Sequence, residues 1–306
     1  MRVSQSGGVA VGQNIQSRVV ELAKAYLELT KPRIATLLLF TAYCAMIVAE
    51  GRVPTIGQTV VVLGGLFLSS GGAAAINMWF DRDIDGVMQR TAHRPIPAGV
   101  VDAKHALWLG ALLGALSVIV LAVGANPLTA ALSLAGYLYY AVVYTMWLKR
   151  RTPQNIVIGG GAGSFPPLVG WAAVTGHLSV AAWLLAAIIF LWTPSHFWGL
   201  ALYKSDDYQR AGVPMMPVVR GERVTKRQMV IYAIVLTIVS IGFTHWIRLG
   251  GLYAVVAVAL NLLFLITNIR LWLDPDGQYT WARRTFFASL LYLPALFTAA
   301  AIFSLV

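Results

Sequence analysis

The chain has 306 residues, of which 58% are hydrophobic and only 11% charged. Soluble domains carry about 25% charge, so the composition excludes an ordinary soluble globule. The net charge of +11 would suit a nucleic-acid binder, but its distribution points to a lipid bilayer and to no nucleic acid.

Residues 1–30 read as a cytoplasmic N-terminal segment without the compact apolar core of a cleaved secretory signal. Residues 31–306 read as a single transmembrane domain. Apolar windows of roughly 20 residues, enough to cross about 30 Å of hydrocarbon, predict nine spans. They fall near 32–50, 57–76, 104–123, 127–148, 156–175, 180–201, 228–247, 250–272 and 285–304. The predicted fold class is therefore all-α, a bundle of nine transmembrane helices around a central cavity. Cys44, the single cysteine, lies in the first span, so neither a disulfide framework nor a zinc cluster can be built. Alternating the spans from a cytoplasmic N-terminus leaves only Arg52 and Arg248, of 23 Lys and Arg, on the outer side. This positive-inside bias predicts an N-in, C-out orientation.

Span two runs into "NMWFDRDIDGVMQRTAHRPIPAG", residues 77–99. If the helix continues, Asn77, Asp81 and Asp85 form one stripe, each step drifting by about 40° and rising about 6 Å. Two carboxylates and an amide are hard oxygen donors, suited to Mg²⁺ that shares its shell with a substrate's phosphates. Asp83 points off the stripe and reads as a solvated bystander. Acids at a membrane core cost free energy unless they are used, which favours a site over an incidental acidic loop.

Further along, Tyr137, Tyr140 and Tyr144 recur at helical spacing in span four, where packing explains them more simply than cation shielding. "KRRTPQN", 149–155, offers Lys149 and Arg151 to a diphosphate or to other anions, or simply to positive-inside anchoring. Arg90 and Arg94 offer the same choice, and "RPIPAG" fixes the chain beside Arg94. "GGGAGS", 159–164, lacks the lysine of a phosphate loop and reads as a place of close helix approach or unwinding. His196 lies inside span six just after Pro194, as an axial ligand for a porphyrin iron or as a partner of a carbonyl freed by the proline. His93 is less informative, and His105, His177 and His245 read as interfacial. After span six, His196, Tyr203 and Asp207 fall within about 20° of one helical line, while Asp206 points away. The two acid-bearing loops follow spans two and six, a hint of halves that face each other across one cavity.

"NMWFDRDID" and the acid site after span six resemble the UbiA-type membrane prenyltransferases. Three segments narrow the resemblance to the haem-farnesylating subgroup: "DRDIDGVMQRTAHRPIPAG", "YTMWLKRRTPQNIVIGGGAGSFPPLVGW" and "PSHFWGLALYKSDDYQRAGVPMMPVV". The resemblance implies a cell-membrane enzyme with its active site facing the cytoplasm. It implies farnesyl diphosphate as donor and the vinyl group of haem b as acceptor. Water addition would give haem O for haem-copper oxidases, with a downstream haem-modifying enzyme or oxidase assembly factor as partner. It also implies Mg²⁺ held by Asn77, Asp81, Asp85 and Asp207, with Asp81, Asp85, Asp207 and Lys149 in catalysis. Arg90, Arg94, Arg151, His196 and Tyr203 would bind substrate. The chain departs from many relatives in carrying Tyr203 where a paired-acid motif has its first aspartate. Alternatives still open are a UbiA-type transferase for an aromatic acid or chlorophyll precursor, and a haem-handling or cation-transporting protein. Ionisable groups concentrated at one end of the spans disfavour a transport path.

Overall fold

Lys31 takes a left-handed backbone conformation (φ 49°) directly before Pro32, and the proline opens the first long apolar helix. Its fixed φ and missing N–H suit that first position. The computed structural model describes residues 6–247 and 249–306, with side chains from Ser17 onward except at residue 248. The helices are α1 Ser6–Leu29, α2 Pro32–Glu50, α3 Ile56–Phe80, α4 Arg82–Val87, α5 Ala103–Gly124 and α6 Pro127–Leu138, followed by α7 Asn155–Gly159, α8 Phe165–Thr175, α9 Val180–Tyr203, α10 Ser205–Arg210, α11 Met216–Trp246, α12 Gly250–Leu273 and α13 Thr280–Phe303. A π-helix, Tyr139–Leu148, prolongs α6, and a 3₁₀ turn, Gly160–Ser164, joins α7 to α8.

Among the described residues nine helical segments are long and apolar enough to cross a membrane, as the windows predict. Sequence-encoded caps fix several of their starts. Thr55 and Gln58 form a capping box on α3, and Asn126 and Ser179 accept N–H bonds at the starts of α6 and α9. Each cap satisfies orphan donors that a bare helix end leaves open. The seventh span departs from expectation. Its helix begins at Met216 rather than near residue 228, with a kink at Gly221 (φ 77°). Residues 216–227 are too charged to register as apolar, but a helix outside the hydrocarbon needs no apolar run.

Around the bundle α3 packs on α5, α5 on α6, α6 on α8, and α8 on α2. Through α2 the path continues to α13, which meets α12 and α9, while α11 closes against α9 and α12. Outward-facing apolar side chains such as Trp108, Val123 and Leu291 remain exposed, which suits contact with lipid. Between α11, α12 and α13 the buried Asn261 donates to Ser240 Oγ and accepts from Tyr292 Oη at 2.9 and 2.8 Å. Such bonds tie helices together where no hydrophobic force acts between them. A cavity of about 590 Å³ is lined from α2, α3, α6, α9 and α13 and from the segment between α7 and α8.

Candidate active site

Asn77, Asp81 and Asp85 are all buried, at 3%, 0% and 1% exposure. The predicted stripe forms, though not on one uninterrupted helix. Asp81 lies between α3 and α4 with φ −86° and ψ 4°, yet its N–H still reaches Asn77 O at 2.9 Å and its own O accepts from Asp85 N at 2.8 Å. The i→i−4 pattern thus survives the bend and keeps all three polar groups on one side.

Each member of the stripe faces a cation. Lys31 Nζ donates to Asn77 Oδ1 and Lys149 Nζ to Asp81 Oδ2, while Arg94 donates to Asp85 Oδ2 at 2.6 Å. Buried carboxylates require such compensation, because an unpaired one would cost several kcal/mol. Burial, reinforced by the charges of Arg94 and Lys149, pushes the Lys31 ammonium well below the usual lysine range. Asp83 points outward as expected but is not simply solvated. Arg150 donates to both its oxygens at 2.7 Å, and that pairing first of all lowers its carboxyl to about 2. Arg150 also reaches Phe80 O at 3.1 Å and Asp81 Oδ1 at 3.4 Å. Arg150 thus reaches the acids, whereas the side chain of the neighbouring Arg151 is exposed.

The second acidic loop departs from its predicted geometry. Helix α9 ends at Tyr203, and Lys204 (φ −121°, ψ 20°) separates it from α10. Asp207 therefore does not continue the helical line of His196 and Tyr203. Instead Asp207 Oδ1 accepts from Gln89 N at 3.0 Å and from Arg210 at 2.9 Å. Burial alone would raise the Asp207 carboxyl, but these donors and the Arg90 N–H hold it below the usual range. Arg90 donates to Tyr208 Oη at 3.3 Å and lies over that ring. The loops after spans two and six are thus clasped together. Asp206 is exposed, as are His93, His105, His177 and His245.

The cavity begins where this cluster ends. Lys31, Tyr140 and Tyr144 line its polar end, and Tyr137, Trp192 and His196 lie on its wall. All three tyrosines of the predicted stripe border it, while Tyr137 also donates to Gly110 O at 3.0 Å. Tyr140 and Tyr144 stack at 5.5 Å. Gly159 leaves room for Tyr144, since a Cβ there would meet the ring at 2.1 Å. The glycine run is therefore a close-approach element that unwinds into a 3₁₀ turn. His196 bonds Ser289 Oγ through Nδ1 at 2.7 Å and stacks between Trp192 and Phe286. Its partner is a side chain of α13, rather than a carbonyl freed by Pro194. Tyr203 lies against Phe286 and beneath Arg283.

Sequence reasoning missed Lys31, Arg150, Thr145 and Tyr208. Only Lys31 carried a signal, as a cation directly before the first span. Among the described residues no three His, Cys, Asp or Glu side chains converge as a ready cation site. Two carboxylates and an amide, each already facing a positive charge, fit an ion that completes its shell with water and phosphate, as Mg²⁺ does.

Fold and site together define a polytopic α-helical membrane protein whose apolar chamber is capped by paired acids and bases. A model of the UbiA prenyltransferase family matches residues 38–291, and the chain belongs to that family. It is 53% identical over 280 residues to a protein of Symbiobacterium thermophilum called protoheme IX farnesyltransferase, covering 91% of this chain and 93% of the relative. A protein of the same name from Rhizobium johnstonii is 46% identical over 281 residues, covering 90% and 88%. Among solved structures, one on digeranylgeranylglyceryl phosphate synthase in membranes aligns with a TM-score of 0.78 at 17% identity, covering 93% of this chain and 99% of that one. A UbiA homolog from Archaeoglobus fulgidus bound to GPP and Mg²⁺ aligns with a TM-score of 0.65 at 16% identity, covering 90% and 99%.

Proposed function

We infer that this chain transfers a farnesyl group from farnesyl diphosphate to a vinyl group of haem b, with addition of water, giving haem O. One observation carries the reading. An apolar chamber of about 590 Å³ is lined by Lys31, Tyr140 and Tyr144, and Lys31 joins it to the buried stripe of Asn77, Asp81 and Asp85, each matched by a basic side chain. A chamber of that size lies within the usual range for ligand sites, and its two ends suit the two ends of an isoprenoid diphosphate. The names of the relatives supply the farnesyl donor and the haem acceptor.

Asn77, Asp81 and Asp85 would hold Mg²⁺, and Asp207 a second ion, and such ions when bound would supply positive charge against the leaving diphosphate. Asp207 accepts from Gln89 N and Arg210 through Oδ1 and also from the Arg90 N–H, and its remaining lone pairs are those it would offer an ion. Lys149 and Arg94, paired with Asp81 and Asp85 here, are placed to turn to the diphosphate oxygens and stabilise the charge that develops on them. Arg90 and Arg151 add positive charge at the same end. The allylic C–O bond breaks, its electron pair leaves with the diphosphate, and the vinyl π electrons form the new C–C bond to the farnesyl carbon. Water adds to the resulting cation on the acceptor and loses a proton, leaving a hydroxyethylfarnesyl group. Tyr140 and Tyr144 offer ring faces to the electron-poor allylic carbon. His196, with Nδ1 held by Ser289, keeps Nε2 for the acceptor side, and Tyr203 closes that side of α9. The enzyme lies in the cell membrane with its acidic end toward the cytoplasm.

The test is mass spectrometry of haems extracted from cells expressing the chain. A hydroxyethylfarnesylated haem supports the reading. Prenylated 4-hydroxybenzoate without any modified haem would overturn it.

A further inference from the structure

Thr145 is fully buried in the π-helical half of span four. Its hydroxyl donates to Tyr140 O at 2.8 Å, the carbonyl five residues back. The Lys149 N–H reaches Tyr144 O across the same i→i−5 step, at 2.9 Å. Short π segments of this kind are frequent at functional sites.

A hydroxyl has a single proton. Once that proton is given to Tyr140 O, Thr145 Oγ1 can only accept. Asn77 lies 3.1 Å away, and only its Nδ2 can supply the required N–H. The same Nδ2 donates to Asp81 Oδ2 at 2.8 Å, so two neighbours demand the amide nitrogen on that side. A reversed amide would set its oxygen against a carboxylate and against a hydroxyl with no proton to offer. Asn77 Oδ1 must therefore face the other way, where it meets the Lys31 ammonium. Oδ1 is the only side-chain atom of Asn77 able to ligate a hard cation, and it is already turned toward positive charge.

We propose that Thr145 is a positioning residue for the metal–diphosphate site, fixing the Asn77 amide with its oxygen directed into that site. The inference rests on the reading of Asn77 as a metal ligand. Partners that orient ligands typically carry a 10–100-fold share of metal affinity. The π-helix gains a purpose from this assignment, because it brings the Tyr140 carbonyl to the Thr145 proton and leaves the lone pairs for Asn77.

The test uses the full chain purified in detergent, with Mn²⁺ as probe in the presence of inorganic diphosphate. Bound and free Mn²⁺ are separated by electron paramagnetic resonance. Thr145→Ser keeps the hydroxyl and should bind as the parent does. Thr145→Val is close in shape and should weaken binding about tenfold, with Asn77→Ala weakened at least as much. If Thr145→Val does not accumulate, Thr145→Cys replaces it and should show the same loss. Parental affinity in Thr145→Val or Thr145→Cys, beside a weakened Asn77→Ala, overturns the positioning role. Equal weakening of Thr145→Ser and Thr145→Val also overturns it, since the hydroxyl would then be irrelevant. Parental affinity in Asn77→Ala would instead sink the metal reading beneath it.

Discussion

Asp81 and Asp83 are two positions apart and lie in different media. The Asp81 side chain is 0% exposed and meets Lys149, whereas that of Asp83 is 60% exposed and meets Arg150. An exposed ion pair contributes little, about 0–1 kcal/mol, while removing one partner of a buried pair strands a charge. Asp81→Asn and Asp85→Asn should therefore lower farnesyl transfer by at least about 100-fold, and Asp83→Asn should stay within about threefold. Initial rates with farnesyl diphosphate and haem b check this, and equal losses for all three would refute the division by burial. That division was legible in the sequence, because spacing alone separates Asp81 and Asp85 from Asp83. The cations opposite were less legible. Arg150 rather than Arg151 reaches the acids, and adjacent residues at a helix end differ by about 100° in direction. Which one faces inward depends on a π-helix that the apolar pattern of span four does not announce.

At the scale of elements, hydropathy located the spans, since length and apolarity are what a bilayer demands. It could not reveal the break at Lys204 that takes Asp207 off the line of His196, nor the charged start of α11. Polar helices outside the hydrocarbon leave no apolar signature. Close approach between helices is equally silent in hydropathy but explicit in the packing of Gly170 on α8. A Cβ at Gly170 would lie 2.2 Å from the Ala42 carbonyl oxygen of α2, and backbone cannot swing aside as a side chain can. Gly170→Ala should therefore destabilise the protein by about 1–3 kcal/mol through overpacking. Gly64→Ala on α3 meets nothing within 4 Å and should be neutral or slightly stabilising, since alanine is the better helix former. Thermal unfolding in detergent separates the two, and a Gly170→Ala protein as stable as the parent would show that α2 and α8 can spread.

For the whole molecule, the alternation of nine spans sends the loops after spans two, four and six to the same end. The structure agrees, because Lys149 and Arg150 from the loop after span four meet Asp81 and Asp83, and Asp207 after span six meets Gln89 after span two. Which side of the membrane this end faces is predicted from charge. By alternation of the spans in the sequence only Arg52 and Arg248 of the 23 basic residues fall to the opposite end, and membranes retain Lys and Arg on the cytoplasmic side. Cysteines at Gln89 and Gln209, both exposed at the acidic end, report on that face in a Cys44→Ala background. A cysteine at Val53, 58% exposed in the loop after span one, reports on the other. In intact cells an impermeant maleimide should label only the Val53 position, and opening the membrane should expose the other two. Labelling at Gln89 or Gln209 before the membrane is opened would invert the protein and put the acidic site on the outer face.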